Sequence, residues 1–111
     1  MEIVQKEQSG IVCVAIKGRL DGESSVEAEK VTRGILEAEK RLLLFDLSEL
    51  EYLSSAGLRV ILEAAKGVKL NDGKLVLCCL NKFVKEIFVT SGFDALIPIA
   101  DTVESGMAMF E

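Results

Sequence analysis

Asp46-Leu-Ser-Glu-Leu-Glu-Tyr-Leu-Ser-Ser-Ala-Gly-Leu-Arg-Val-Ile-Leu62 is the stretch on which the reading of this chain turns. It starts where the apolar run Leu42 to Phe45 stops at an aspartate; a short, uninterrupted apolar run of this kind predicts a strand covered on both faces. It ends in residues at helical spacing. Leu58, Ile61, Leu62 and Ala65 fit the i, i+3, i+4, i+7 pattern and predict one buried stripe on a helix from about Ser55 to Leu70, stopped by Asn71-Asp72-Gly73. Leu47 to Leu53 reads as a linker, and Ser54-Ser55-Ala56-Gly57 as the turn that opens the helix, since serine is a favoured N-cap.

Working outward, the strand–turn–helix unit has neighbours of the same kind. Upstream, Ile3 to Lys6 alternates as a half-exposed edge strand does, and Gln8-Ser9-Gly10 predicts a tight hairpin turn. Ile11 to Ile16 is continuously apolar and predicts a strand inside the sheet. After Gly18-Arg19-Leu20-Asp21-Gly22, Ser24 with Glu27 three residues on has the form of a capping box, and Ala28, Val31, Ile35 and Ala38 follow as a helical stripe. Strand, helix and strand in such short order fit a right-handed crossover between parallel strands. Downstream, Leu75 to Leu80 predicts a buried strand. Asn81 predicts the cap of a helix carrying Phe83, Val84, Ile87 and Phe88, with Gly92 in its C-terminal turn. Ala95 to Ile99, with Pro98, predicts a short edge strand, and Asp101 or Thr102 a final helix with Val103, Met107 and Phe110. The expectation is one α/β domain over 1–111, a mixed four- to five-stranded sheet with about four helices.

At the central stretch a family resemblance becomes specific. D-L-S-x-L-x-Y-L-S-S-A-G-L-R-V-I-L resembles the signature of the STAS domain in its bacterial anti-sigma factor antagonist form. Gly18 to Asp21 (G-R-L-D) resembles the family's G-x-L-D, and Ser91 to Phe93 (S-G-F) its S-G-L/F, so the resemblance spans essentially the whole chain. In that family the serine two residues before the helix-starting glycine is phosphorylated by a partner that is both anti-sigma factor and serine kinase. The resemblance places that role on Ser55, with Ser54 as the alternative acceptor because many relatives carry an aspartate there. It implies a non-enzymatic antagonist that needs no cofactor and no metal. Unphosphorylated, it binds an anti-sigma factor serine kinase and releases a sigma factor; phosphorylation ends the binding and a serine phosphatase restores it.

Elementary physics makes a helix start a sensible place for such a modification. The first turn presents unpaired N–H groups equivalent to about half a positive charge, so the fold tolerates an anion there. A phosphoserine adds about −1.5 to −2 charges, which are costly to bury against a partner shaped for a neutral hydroxyl. The expected partner surface is Asp21, Ser54, Ser55, Ala56, Gly57, Arg59, Val60 and Glu63, with Val60 and Ala64 as a small apolar strip beside the buried stripe. Asp46 and Glu51 are expected near the same edge, where the carboxyl ends of strands gather loops.

Composition closes other routes. The net charge of −5 and the absence of a basic cluster exclude nucleic-acid backbones as natural partners. No histidine is present, which removes Ser-His-Asp and Cys-His nucleophiles and histidine zinc sites. The apolar runs fall far short of the roughly 20 residues that span a bilayer, and Met1 to Gln8 has no signal-peptide core, so no membrane insertion and a cytoplasmic location are expected. Cys13, Cys78 and Cys79 read as reduced core residues. Cys78 and Cys79 are predicted on opposite faces of a strand, without the C-x-x-C spacing of a redox or metal pair.

The plainer readings are simple helix capping for the serine pair, with Ser54 the expected cap, and turn formation for Asp21 beside Gly22. Glu49 and Glu51 read as a solvated rim. The rival function is a constitutive STAS scaffold or a subunit of a stress-signalling complex or lipid transporter. A nucleotide-binding loop is disfavoured, since Ser54 to Gly57 contains no lysine and no G-x-x-x-x-G-K-[ST].

Overall fold

In a computed structural model, which describes residues 1–111, the chain opens with the expected hairpin: β1 (Glu2–Gln8) runs antiparallel to β2 (Ile11–Leu20). Ser9 and Gly10 form the two-residue turn with φ of 55° and 79°, the mirror-type geometry that matches strand twist. β2 is buried on both sides. Val12, Val14 and Ile16 face one cluster of the core and Ile11 and Cys13 the other, which is why the run is apolar without alternation.

From β2 the chain passes through α1 (Ser25–Glu37) to β3 (Leu42–Asp46), parallel to β2. Next come β4 (Leu50–Leu53), α2 (Ser55–Leu70), β5 (Lys74–Cys78), α3 (Lys82–Thr90), β6 (Ile99–Ala100) and α4 (Val103–Ala108). The sheet order is β1-β2-β3-β5-β6, with β4 beside the end of β2. Helices α1 to α3 bury Ala28, Ile35, Val60, Ile61, Ala64, Val68, Val84 and Phe88 on one face. The short α4 covers the other with Met107, followed by Phe110. No helix is long and apolar enough to cross a membrane.

The α/β class and the four helices are as expected, whereas the sheet has six strands. The additional strand is β4, inside the stretch read as a linker. β3 ends at Asp46, whose Oδ1 accepts from the Ser48 N–H at 3.0 Å. The chain then steps along and takes up the parallel partnership that β3 has left, pairing Leu50 with Gly18 and Leu53 with Leu20. Gly18, at φ +89° beside a register shift, lets β2 bend onto this second partner. A four-residue strand buried only at its two ends has too little periodicity to be seen in sequence. β6 is shorter than Ala95 to Ile99 because Phe93–Ala95 forms a 3-10 turn after Gly92, itself at φ 79°.

Two caps form as predicted. Asn81 accepts from the Val84 N–H at 2.8 Å, and Thr102 with Ser105 closes a capping box on α4. The box at Ser24 does not form: Ser24 is already helical in conformation, and its hydroxyl donates to the Arg19 carbonyl at 2.7 Å. Asp21 takes over, accepting at Oδ1 from the N–H groups of Glu23 (3.1 Å) and Ser24 (3.0 Å).

The buried stripe of α2 is also rotated from the predicted one. Gly57, Val60, Ile61, Ala64 and Val68 are buried, and Leu58, Leu62 and Ala65 pack at the margin. The expected apolar strip at Val60 and Ala64 is therefore no surface, with 4% and 0% exposure. α2 lies against α1 as well as the sheet, and small residues sit where the helices approach: a Cβ on Gly67 would meet Leu36 Cδ1 at 2.5 Å.

Candidate functional site

Helix α2 starts with a division of labour between two serines. Ser54 is extended (φ −92°, ψ 174°), its N–H donates to the Leu20 carbonyl at 2.9 Å, and its hydroxyl accepts from the Gly57 N–H at 3.2 Å. Ser54 is thus the cap, and its carbonyl accepts from the Leu58 N–H at 2.8 Å to close the first turn. Ser55 is the first helical residue, exposed, and takes no part in capping. No acidic residue stands in the first turn, so the positive end of the helix dipole is not neutralised by a side chain.

Gly57 fixes where this start lies. A Cβ there would stand 2.5 Å from the Leu20 carbonyl oxygen, 2.8 Å from Leu20 Cγ and 2.9 Å from Leu53 Cδ1. The helix is seated directly on the ends of β2 and β4, and Ser55 is pushed outward. Of the other expected surface residues, Arg59 and Glu63 follow Ser55 on the exposed side at one-turn intervals, and Ala56 is half-buried. Gly57 and Val60 are buried and contribute from beneath, as seating rather than as contacts, because their side of the helix faces β2, β4 and α1.

A second feature of this edge was missed from sequence. Arg19 Cζ lies 4.2 Å from the centroid of the Tyr52 ring, and Tyr52 stacks on Phe83 with centroids 6.3 Å apart and planes at 16°. Phe83 remains 51% exposed, unlike Val84 and Phe88 on the same helix. Pairing of β4 with β2 sets Tyr52 opposite Arg19, and the chain runs from Tyr52 through Leu53 into Ser54 and Ser55. These residues are far apart in sequence, and the pairing that joins them has no local signal.

Asp21 is half-exposed, and the turn it makes is its visible task. The Ser24 N–H holds its carboxyl below the usual carboxylate range, assisted by the Ser24 hydroxyl, the Glu23 N–H and Arg19, whose Nε lies 3.9 Å away. A depressed folded-state value means that ionised Asp21 favours the fold above the ordinary carboxylate pKa, and that this contribution fades as pH falls through the folded value. A carboxyl-carbon NMR titration is expected to show Asp21 titrating below the ordinary value of about 3.9. A midpoint at or above that value would mean the turn hydrogen bonds do not hold in solution.

Glu49 and Glu51 are exposed, with Glu49 3.4 Å from Lys17 Nζ. Cys13 and Cys78 are buried, and burial pushes both thiols up. The expectation that Cys78 and Cys79 face opposite ways fails: Cys79 lies beyond the strand at φ 64° and packs against the same cluster as Cys78.

The same arrangement of sheet and helices occurs in known regulators. The crystal structure of a Thermotoga maritima protein described as an anti-sigma factor antagonist matches with a TM-score of 0.92 over 96% of this chain and 92% of its own, at 22% identity. The phosphorylated form of SpoIIAA, a cell fate determinant of Bacillus, matches with a TM-score of 0.80 over 99% of this chain and 100% of its own, at 13% identity. At those identities the likeness speaks for the fold alone, one α/β arrangement shared with these proteins. In sequence, the family profile described as STAS domain matches residues 2–106. A curated relative named as anti-sigma factor antagonist BtrV, of Bordetella bronchiseptica, is 32% identical over 111 residues, 100% of this chain and 96% of the relative. The chain belongs to the STAS domain family, as its motifs implied.

Proposed function

We propose that this protein is an anti-sigma factor antagonist that works by partner switching at Ser55. With the Ser55 hydroxyl free, it binds an anti-sigma factor that is also a serine kinase, and the sigma factor held by that kinase is released. The kinase then transfers the γ-phosphoryl group of its ATP to Ser55 Oγ. The bond to the ADP leaving group breaks, and the hydroxyl proton passes to the kinase's base. The phosphorylated chain dissociates, and a serine phosphatase regenerates the hydroxyl by hydrolysis. The protein itself catalyses nothing in this cycle and acts in the cytoplasm as one STAS domain.

The observation that carries this reading is the exposed Ser55 hydroxyl at the mouth of α2, left free because Ser54 alone makes the cap. Modification there leaves every fold-determining hydrogen bond of the turn in place, while the dipole of a 16-residue helix accommodates the anion. Arg59, Glu63 and Ala56 continue the surface along the helix. Asp21 and the Arg19–Tyr52–Phe83 stack flank it with an exposed aromatic, the residue class favoured at the centres of interfaces. The names of the relatives and the existence of a phosphorylated form of SpoIIAA support the same reading.

Phosphopeptide mass spectrometry on the chain isolated from its own cells tests it. The expected result is a phosphate on Ser55 that appears and disappears with growth condition. Phosphate on Ser54 alone would overturn the assignment. An unmodified chain found always within a stable multimer or transporter would replace the switch with a constitutive scaffold.

A further inference from the structure

Two thiols and a carboxylate meet where β3 and β5 end, at residues the Ser55 switch does not use. Asp46 closes β3, and its register partner on β5 is Cys78. In a continuing strand the next side chain would leave by the opposite face. Cys79 instead takes φ 64°, and its thiol returns to the side of Cys78. The ligand atoms of Asp46, Cys78 and Cys79 consequently all lie within 4.8 Å of one another. Cys78 is fully buried, whereas Asp46 and Cys79 are half-buried, so the cluster has a dry floor and a mouth open to water. Both cysteines are free thiols. One carboxylate oxygen of Asp46 is held by the Ser48 N–H, which fixes the group and leaves the other oxygen available. The third cysteine, Cys13, packs in the same apolar cluster as Cys78 but is not among the three groups that meet, and its Sγ contacts Met107 Sδ at 4.0 Å.

We propose that Asp46, Cys78 and Cys79 form a binding site for a soft divalent cation of the Zn2+ or Cd2+ type. Thiolate sulfur and carboxylate oxygen are both ligand types that such ions take, whereas hard cations such as Mg2+ do not take thiolate ligands. Tetrahedral binding with metal–sulfur bonds near 2.3 Å sets donors about 3.8 Å apart, so the cluster needs to contract by about 1 Å at most, within reach of side-chain rotation at its mouth. The fourth position faces the open side and takes water. On binding, each thiol gives its proton to solvent, two protons per ion, so the affinity rises with pH. The site does not rest on the Ser55 reading and stands or falls separately from it.

The test is a titration of the reduced chain with Cd2+, read by the ultraviolet thiolate-to-metal charge-transfer band and by thermal melting. The expected result is saturation at one Cd2+ per chain with a raised Tm, since an ion that binds only the folded state stabilises it. Cys79→Ser, a change at a half-buried residue beyond the strand, is expected to cut the band at least by half and the affinity at least tenfold while leaving the far-ultraviolet circular dichroism unchanged. Asp46→Asn, which retains an acceptor for the Ser48 N–H, is expected to weaken binding about tenfold without reducing the band per bound ion, because both thiolates remain. Cys13→Ser is expected to change neither. The proposal is overturned if no band forms, if Cys79→Ser leaves it intact, if Cys13→Ser removes it, or if Mg2+ raises the Tm as much as Cd2+.

Discussion

Ser55→Asp is expected to bind the anti-sigma factor kinase roughly 30- to 700-fold more weakly than the unmodified chain, while the domain stays as stable or becomes slightly more so. The loss follows from placing an unpaired carboxylate at a contact shaped for a hydroxyl, a cost of about 2–4 kcal/mol at about 1.4 kcal/mol per factor of ten. The unchanged fold follows from geometry. Ser55 is the first residue of α2, and a carboxylate there gains about 0.3–1 kcal/mol from the helix dipole. Two companion variants separate the switch from mere damage. Ser55→Ala is expected to bind as the parent does and to accept no phosphate. Ser54→Ala is expected to lose about 1 kcal/mol of stability through the missing cap, yet still to be phosphorylated. Calorimetric titration with the kinase and thermal melts of the three variants make the measurement. Equal affinity of Ser55→Asp and the parent would mean that this hydroxyl does not lie in the interface.

Gly57→Val is expected to be the most damaging single change at this site, although the residue touches no partner. Its Cβ alone would stand 2.5 Å from the Leu20 carbonyl oxygen and 2.9 Å from Leu53 Cδ1. The carbonyl cannot move freely, because it accepts from the Ser54 N–H at 2.9 Å. Relief requires α2 to lift from β2 and β4. Overpacking of this kind costs about 3 kcal/mol at the upper end of its usual range, enough to lower Tm by more than 10 °C in a domain of this size. Ser55→Val, two residues away but pointing to water, is the control and should change stability by less than about 0.5 kcal/mol. Chemical denaturation of both proteins measures the difference. Comparable stability of Gly57→Val and the parent would show that the helix start is not seated as described, and Ser55 would lose its fixed position with it.

Much of the fold was legible because its signals are local. The unbroken apolar runs at Ile11 to Ile16 and Leu42 to Phe45 announced strands with two covered faces. Ser54, Asn81 and Thr102 announced caps, since a cap depends on a side chain and an N–H only three residues apart. Ser24 carried the same local signal and failed because Asp21 competes for the same turn through N–H groups two and three residues ahead. Arg59 and Glu63, read as part of the expected partner surface, are exposed on α2.

What the chain determined by itself is thus its order of elements, the mouth of α2 and the division between a capping serine and a free one, all set by contacts within about one turn. The tertiary structure alone decided that Leu50–Leu53 is a strand, that Gly57 and Val60 are seating and not surface, and that Arg19, Tyr52 and Phe83 stack together. It also brought Cys79 round to Cys78 and Asp46. Each of these depends on where β2 bends at Gly18 or on which neighbour a helix or strand end meets. Such contacts span tens of residues and leave no periodicity along the chain for a sequence to display.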